Sequence, residues 1–314
     1  MKHYILEAKN ISKTYNGFQA LENVSLSLEK GKIYGLIGQN GAGKTTFMRI
    51  IAGLSFPTSG ELYLFHQSSQ KALQAGRKQM GSMIENPSIL DNMNARDNLR
   101  VHKIMKGIKE ENTEQRVLEI VGLGHTGKKK AKDFSLGMRQ RLGIAITLLG
   151  NPEILMLDEP VNGLDPSGIA EIRQLIKKLA AKHQMTILLS SHHLAELHQT
   201  ADEFIIVNEG KILKTLSHNT LEQQIDKHLL IDCNEPEKLP KVLRESLHTE
   251  NFIVQPDQSV KLYDFTDEKE KLSKTLIEHG IIVTTFATQE ESLESYYLHL
   301  IGGQADATIK SRFL

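Results

Sequence analysis

The stretch Gly38-Gln39-Asn40-Gly41-Ala42-Gly43-Lys44-Thr45-Thr46 fits the phosphate-binding loop pattern G-x-x-x-x-G-K-[ST] without a mismatch. An apolar run over residues 33–37 precedes it and predicts a buried strand, and helical spacing follows from Thr46 to Leu54. Glycines suit a loop that turns its backbone N–H groups inward around a polyphosphate, because side chains would block the approach. The sequence therefore predicts that the chain binds a nucleoside triphosphate.

Residues of this loop have separate predicted roles. Lys44 supplies a cation for the phosphates and Thr45 a hydroxyl for Mg²⁺, while the helix N-terminus favours negative charge. An ordinary glycine-rich turn before a helix is the alternative. The predicted nucleotide-binding residues of the loop are Gly38, Asn40, Gly41, Gly43, Lys44, Thr45 and Thr46.

A second acidic motif lies at Ile154-Leu155-Met156-Leu157-Asp158-Glu159. Four apolar residues that end in a carboxylate describe a central parallel strand, whose C-terminal end faces the ligand crevice of an open α/β sheet. We expect Asp158 to hold Mg²⁺ directly or through water, and Glu159 to accept a proton from water attacking the γ-phosphate. A strand followed by a solvated acidic turn is the alternative.

The segment Phe134-Ser135-Leu136-Gly137-Met138-Arg139-Gln140-Arg141 resembles, in a variant form, the signature sequence of ATP-binding cassette (ABC) proteins. Kinases and GTPases lack this signature. The resemblance covers about the first 217 residues. It implies an α/β fold with a RecA-like parallel core, an antiparallel β-subdomain and a helical subdomain that carries the signature.

Three further residues match family motifs in the expected order. Tyr15 resembles the aromatic residue that stacks on adenine, Asp165 is the acid of a D-loop, and His192 resembles the switch histidine. His193 is a rival for the switch position, but the family places the histidine directly after Ser-Ser. Packing at the surface is the alternative for Tyr15, and a polar residue at a strand end is the alternative for either histidine.

The resemblance also implies a dimer, because ABC cassettes pair head to tail around ATP. ATP held by the Lys44 loop of one copy is completed by Ser135, Gly137 and Asp165 of the other. ATP and Mg²⁺ are the implied cofactors.

One position departs from the usual cassette pattern. After a strand-like run at residues 80–84, most cassettes carry a glutamine that touches Mg²⁺ and the attacking water, but this chain has Glu85. We expect Glu85 to bind Mg²⁺ or to take up a proton without nucleotide; an incidental surface glutamate is the alternative. The change, together with Ser135-Leu136-Gly137-Met138, resembles the bacitracin and lantibiotic resistance subgroup.

Composition limits the partners. The 38 basic and 38 acidic residues give no net charge, which argues against a nucleic-acid surface. The single cysteine, Cys233, fits a reducing compartment. No apolar run approaches the ~18 residues of a membrane span, and the N-terminus lacks a signal peptide's apolar stretch. We therefore expect a cytoplasmic protein, peripheral on the inner face of the cell membrane, with separate transmembrane permease subunits.

The chain beyond the cassette predicts a second, smaller domain. We expect the cassette at 1–217, a linker at 218–227, an accessory α+β domain at 228–302 and a flexible tail at 303–314. Apolar patterns predict strands at 228–233, 252–255, 260–265 and 281–287, and helices at 237–247, 267–279 and 293–301. Up to the last strand, the order β-α-β-β-α-β is that of a ferredoxin-like unit.

The leading functional hypothesis is the ATP-hydrolysing subunit of a bacterial ABC transporter that exports a peptide antibiotic. Export of another substrate, such as a drug, ion or lipid, stays open, as does a soluble ABC ATPase without a transport role. The third alternative is a degenerate cassette that binds ATP without cleaving it, which Lys44, Asp158, Glu159 and His192 oppose.

Overall fold

The computed structural model describes residues 4–192, 194–224, 227–290, 294, 296–298 and 300–301. These residues divide into two compact units, one that ends at His218 and one that begins at Asn219. The elements up to the boundary are β1 Tyr4–Tyr15, β2 Phe18–Glu29, β3 Ile33–Ile37, α1 Lys44–Ala52, β4 Ser59–Leu64, α2 Gln70–Arg77, β5 Met80–Met83, α3 Ala95–Met105, α4 Thr113–Ile120, α5 Leu136–Leu148, β6 Ile154–Asp158, α6 Pro166–His183, β7 Thr186–Ser191, α7 Leu194–His198, β8 Glu203–Asn208 and β9 Lys211–Ser217. Those that follow are α8 His218–Gln224, β10 Lys227–Cys233, α9 Leu239–Glu245, β11 Phe252–Val254, β12 Val260–Leu262, α10 Lys269–Glu278 and β13 Val283–Glu290.

The first unit is organised around a six-stranded sheet with the order β5-β6-β7-β3-β8-β9. All of its pairs are parallel except β8 with β9. Every residue of β3, β6 and β7 is buried, which is the reason that these strands are largely apolar, with polar residues at the ends of β6 and β7. Their C-terminal ends lie side by side, since Asp158 pairs with Ser190 and Ile37 with Ser191. The phosphate loop and the acidic motif therefore meet at one sheet edge.

Helix α1 begins at Lys44, two residues before the predicted start. Gly43 takes a left-handed conformation, with φ of 105°, and ends the loop. Gly53, with φ of 79°, stops the helix in the same way after Ala52, because glycine adopts this conformation without a Cβ penalty. The early start places Lys44 in the first turn, at the positive end of the helix.

A three-stranded antiparallel sheet, β2-β1-β4, supplies the second layer of this unit. Its inward residues, including Ile11, Leu21 and Leu28, join one core cluster with Met48 and Ile51 of α1. This packing fixes α1, and with it Lys44, against the sheet layer.

The helical segment with the signature is organised by Asn98 of α3, which is fully buried. Its side-chain oxygen accepts from the Leu90 amide at 2.7 Å, and its amide group donates to the carbonyls of Leu90, Met93 and Asn94. In the loop that Asn98 holds, the Met93 carbonyl also accepts a hydrogen bond from the Ala131 amide, at 2.9 Å. Asn98 thereby orders the backbone that leads into the signature.

We expect Asn98→Ala to lower the free energy of unfolding of the first unit by about 2 kcal/mol, because it leaves buried backbone groups without partners. Chemical denaturation followed by circular dichroism measures the change. Arg100→Ala, at an exposed position of the same helix, is the control and should change stability little. Equal unfolding midpoints for the two variants would remove this role from Asn98.

The second unit is a four-stranded antiparallel sheet with the order β11-β12-β10-β13. Numbered within the unit this is 2-3-1-4, so the strand order and the β-α-β-β-α-β connection confirm the ferredoxin-like prediction. Its core contains the strand residues Leu229 and Ile231, Leu243 of α9, and Leu272 and Leu276 of α10.

The elements of the second unit differ from their predicted bounds by a few residues. Helix α9 is shorter than the predicted 237–247, because residues 235–238 form a turn and Pro240 occupies the first helical turn. The described residues within the predicted helix 293–301 are helical, whereas Leu293 and the predicted tail at 303–314 lie outside the described residues. In the part of the chain that is described, no helix has the length and apolarity to cross a bilayer.

Candidate nucleotide-binding site

Lys44 lies at the centre of the phosphate loop and is only 6% exposed. Its ammonium group donates to the Gly38 carbonyl at 2.6 Å and to the Gln39 carbonyl at 3.2 Å, and lies 3.7 Å from Glu159 Oε1. Burial lowers the pKa of Lys44, while the charges of Glu159 and Asp158 act in the opposite direction. The loop therefore presents a positive group close to two carboxylates.

The glycines of the loop are required by its geometry. A Cβ on Gly38 would lie 2.6 Å from the Val207 carbonyl oxygen, and one on Gly43 would lie 2.8 Å from the Ala20 carbonyl oxygen. Gly41 has open space around it but a φ of 84°, which a side chain would strain. The backbone can adopt this cradle only with glycine at these positions, as a polyphosphate-binding loop requires.

The loop lines a cleft of about 260 Å³. Much of the cleft wall is formed by residues 39–46, Glu159 and Ala20. The ring of Phe18, which is 66% exposed, forms the rest of the wall. Tyr15, the predicted adenine-stacking residue, is not among the lining residues; its hydroxyl lies 3.2 Å from Ser55 Oγ, and Lys13 Nζ lies 4.7 Å from its ring centre. Sequence analysis did not single out Phe18, which lies three residues after Tyr15.

Asp158 is nearly buried and accepts two hydrogen bonds. Thr45 Oγ1 donates to its Oδ2 at 2.9 Å, and Ser190 Oγ donates to its Oδ1 at 2.6 Å. Ser190 also accepts from the Glu159 amide at 3.0 Å, so it ties the two acidic residues to β7. The Thr45 hydroxyl and the Asp158 carboxylate are oxygen donors of the kind that Mg²⁺ prefers, and the site fits that ion. Sequence analysis did not single out Ser190.

Glu159 contacts His192 as well as Lys44. His192 Nδ1 lies 2.8 Å from Glu159 Oε2, and the His192 amide donates to the same oxygen at 3.3 Å. Glu159 has a φ of 50°, a left-handed conformation that turns the chain sharply after β6. His193, the rival for the switch position, lies outside the described residues.

Glu85 lines a second cleft, together with Thr45, Asp158 and Glu159. Its carboxylate forms an ion pair with Arg49, with Nη2 2.5 Å from Oε1. The structure therefore brings Glu85 to the wall of the same region and pairs it with a cation that sequence analysis did not consider.

The residues predicted to act on a second copy, Ser135, Gly137 and Asp165, line neither cleft. Their neighbours Leu136, Arg139 and Gln140 in the signature segment line the second one. Ser135 caps α5 and accepts from the Met138 amide at 3.3 Å. Asp165 caps α6 and accepts from Ser167 Oγ at 2.6 Å, a bond that lowers the pKa of Asp165. Ser135 and Asp165 are exposed, and Gly137 lies near the side chain of Leu164.

Residues 21–162 match the family model described as ABC transporter. The chain is 39% identical to the bacitracin transport ATP-binding protein BcrA of Bacillus licheniformis, over 95% of this chain and 98% of that one. The chain belongs to the ATP-binding subunits of ABC transporters. This ABC subunit is also 41% identical to the lantibiotic transport ATP-binding protein SrtF of Streptococcus pyogenes, over 73% of this chain and 99% of the relative.

Solved structures of ABC cassettes share the fold. The cassette MJ0796, in a dimeric post-hydrolysis state bound to ADP and Pi, matches with a TM-score of 0.62 at 25% identity, over 68% of this chain and 98% of that one. The cassette MJ1267 in its ADP conformation matches with a TM-score of 0.64 at 26% identity, over 70% and 94%. These findings confirm the predicted fold class and the prediction of an ABC-type ATPase that binds ATP.

Proposed function

We propose that this ABC subunit hydrolyses ATP to drive export or membrane clearance of a peptide antibiotic of the bacitracin or lantibiotic type. The observation that carries the hydrolytic part is Glu159, whose carboxylate lies between Lys44 and His192. The substrate class is supported by the relatives named for bacitracin and lantibiotic transport.

Each side chain of the site has a defined task in this proposal. Lys44 neutralises phosphate charge from within the glycine-rich cradle, while Glu159 accepts the proton of the attacking water. His192 orients the Glu159 carboxylate through the 2.8 Å contact. Thr45 and Asp158 would hold Mg²⁺, which when bound neutralises charge on the phosphate oxygens.

A second copy completes the site in this proposal. Ser135 and Asp165 are exposed helix caps, and with Gly137 they are available to meet nucleotide held by the Lys44 loop of a partner. A related cassette forms a dimer, which supports this arrangement. Removing the γ-phosphate would then remove the bridge between the copies.

Separate permease subunits would carry the peptide and place this chain at the inner face of the cell membrane. Hydrolysis in the dimer would change the conformation of those subunits, because closing and opening the nucleotide sites moves the surfaces to which they attach.

The test is protection of an antibiotic-sensitive bacterium. The chain is expressed together with the permease subunits of its transporter, and inhibitory concentrations of bacitracin and of a lantibiotic are measured. We expect protection that Glu159→Gln removes. Glu153→Gln, which changes a partly exposed glutamate just before the same strand, should protect fully. The proposal would be contradicted if Glu159→Gln protected fully. It would also be contradicted if the unchanged chain protected against neither bacitracin nor the lantibiotic.

A further inference from the structure

Helix α1 carries two cations, and each lies against a carboxylate at the end of a neighbouring strand. Lys44, in the first turn, lies 3.7 Å from Glu159, which follows β6. Arg49, in the last turn, forms a 2.5 Å ion pair with Glu85, which follows β5. One helix therefore contacts both of these glutamates.

The two carboxylates occupy equivalent positions. Met83 of β5 pairs with Leu157 of β6, so Glu85 and Glu159 each lie two residues beyond a paired position. Both have left-handed backbone conformations, with φ of 64° and 50°. Such conformations are uncommon for residues other than glycine and concentrate at functional sites.

The Arg49–Glu85 pair is suited to exchange. The arginine side chain is 41% exposed and the glutamate 56% exposed, and solvent weakens an ion pair of this kind. The Glu85 side chain also borders a cleft of about 470 Å³ that Thr45 and Asp158 line. A divalent cation at Thr45 and Asp158 would therefore compete with Arg49 for the same carboxylate.

We propose that Arg49 is a positioning residue that holds Glu85 away from the divalent cation bound at Thr45 and Asp158. Glu85 becomes a metal ligand only when its contact with Arg49 opens. This inference rests on the proposed function, since it requires the metal–nucleotide site. Arg49 supplies the neutralising charge for Glu85 when the metal does not, so Glu85 changes partner between a guanidinium and a metal ion.

Binding of Mn²⁺ to the full chain in the presence of ADP tests this directly, with free Mn²⁺ measured by electron paramagnetic resonance. We expect Arg49→Gln to bind Mn²⁺ about two- to fivefold more tightly, the factor that corresponds to losing a competing exposed ion pair. Arg49→Lys should stay close to the unchanged chain. In a Glu85→Gln background, Arg49→Gln should have no further effect.

Each result decides the matter. An unchanged Mn²⁺ affinity in Arg49→Gln, or an increase that persists in the Glu85→Gln background, overturns the inference, because simple charge repulsion by Arg49 needs no Glu85. If Arg49→Gln does not fold, as judged by circular dichroism, Arg49→Met replaces it, with the same expected increase in affinity and the same contradicting results. Absence of ADP-dependent Mn²⁺ binding in the unchanged chain would instead contradict the proposed metal–nucleotide site itself.

Discussion

Replacing Glu159 by Gln should lower ATP turnover by roughly 10²- to 10⁴-fold while ATP binding persists, which is the usual contribution of a positioned general base. The amide has the shape of the carboxylate and can still contact His192, but it cannot accept the proton of water. The glycine loop, Lys44 and Thr45 are unchanged, so nucleotide contacts remain. Phosphate release at saturating ATP measures turnover, and equilibrium titration with a fluorescent ATP analogue measures binding.

The matched control for this variant is Glu153→Gln. Glu153 directly precedes β6, at the end opposite to Glu159, and pairs with Lys30 on the surface. Its turnover should equal that of the unchanged chain. If Glu159→Gln turned over ATP at the normal rate, the base would have to be reassigned, with Glu85 as the next carboxylate to test.

Lys44→Ala should weaken ATP binding by roughly 100-fold or more, because charge-assisted hydrogen bonds to a phosphate are among the strongest single contacts of a protein. The substitution also leaves Glu159 without the Lys44 ammonium group beside it, so the local charge becomes unfavourable for a triphosphate. Titration calorimetry with ATP and Mg²⁺ measures the loss.

Lys30→Ala provides the control, since Lys30 is an exposed lysine paired with Glu153 at the other end of the sheet. It should bind ATP normally. Retention of full ATP affinity by Lys44→Ala would mean that the cradle of backbone amides alone holds the phosphates, and the task assigned to Lys44 would be wrong.

Much of the cassette's secondary structure could be predicted from its local sequence. The strands before Gly38 and Asp158 were predictable because buried parallel strands are apolar throughout, and the loop glycines because only they fit its backbone. Those motifs end β3 and β6, which are separated in the sheet only by β7, and parallel strands bring their C-terminal ends to one edge, so the meeting of the motifs followed from the fold class. The roles of the individual site residues, including Tyr15, Ser135, Gly137 and Asp165, stay predictions.

Contacts between residues that are distant in the sequence could not be predicted from it. Arg49 and Glu85 are 36 positions apart, and Ser190 and Asp158 are 32 apart. Neither partner carries a local pattern that identifies the other, because pairing depends on the strand register and on the left-handed turn at Glu85. The side-chain direction at that turn decides whether Glu85 faces solvent, Arg49 or the metal ligands.

In the second unit, too, some features could be predicted from the sequence and others could not. Its element order was predictable from alternating apolar runs and turn residues, and the antiparallel order β11-β12-β10-β13 confirms it. Helix ends were less accurate, since α9 begins only after a turn at residues 235–238. The boundaries of the linker at 218–227 and of the accessory domain at 228–302 stay predictions.

The most direct test of two copies sharing ATP is the mass of the Glu159→Gln chain in solution with saturating ATP and Mg²⁺, measured by light scattering after size exclusion. The account predicts a particle of twice 35.2 kDa that returns to a single chain when Lys44→Ala is added. A Glu159→Gln chain that binds ATP yet keeps a mass of 35.2 kDa by itself, and that is present as a single copy in the complex with its membrane subunits in detergent, would contradict it.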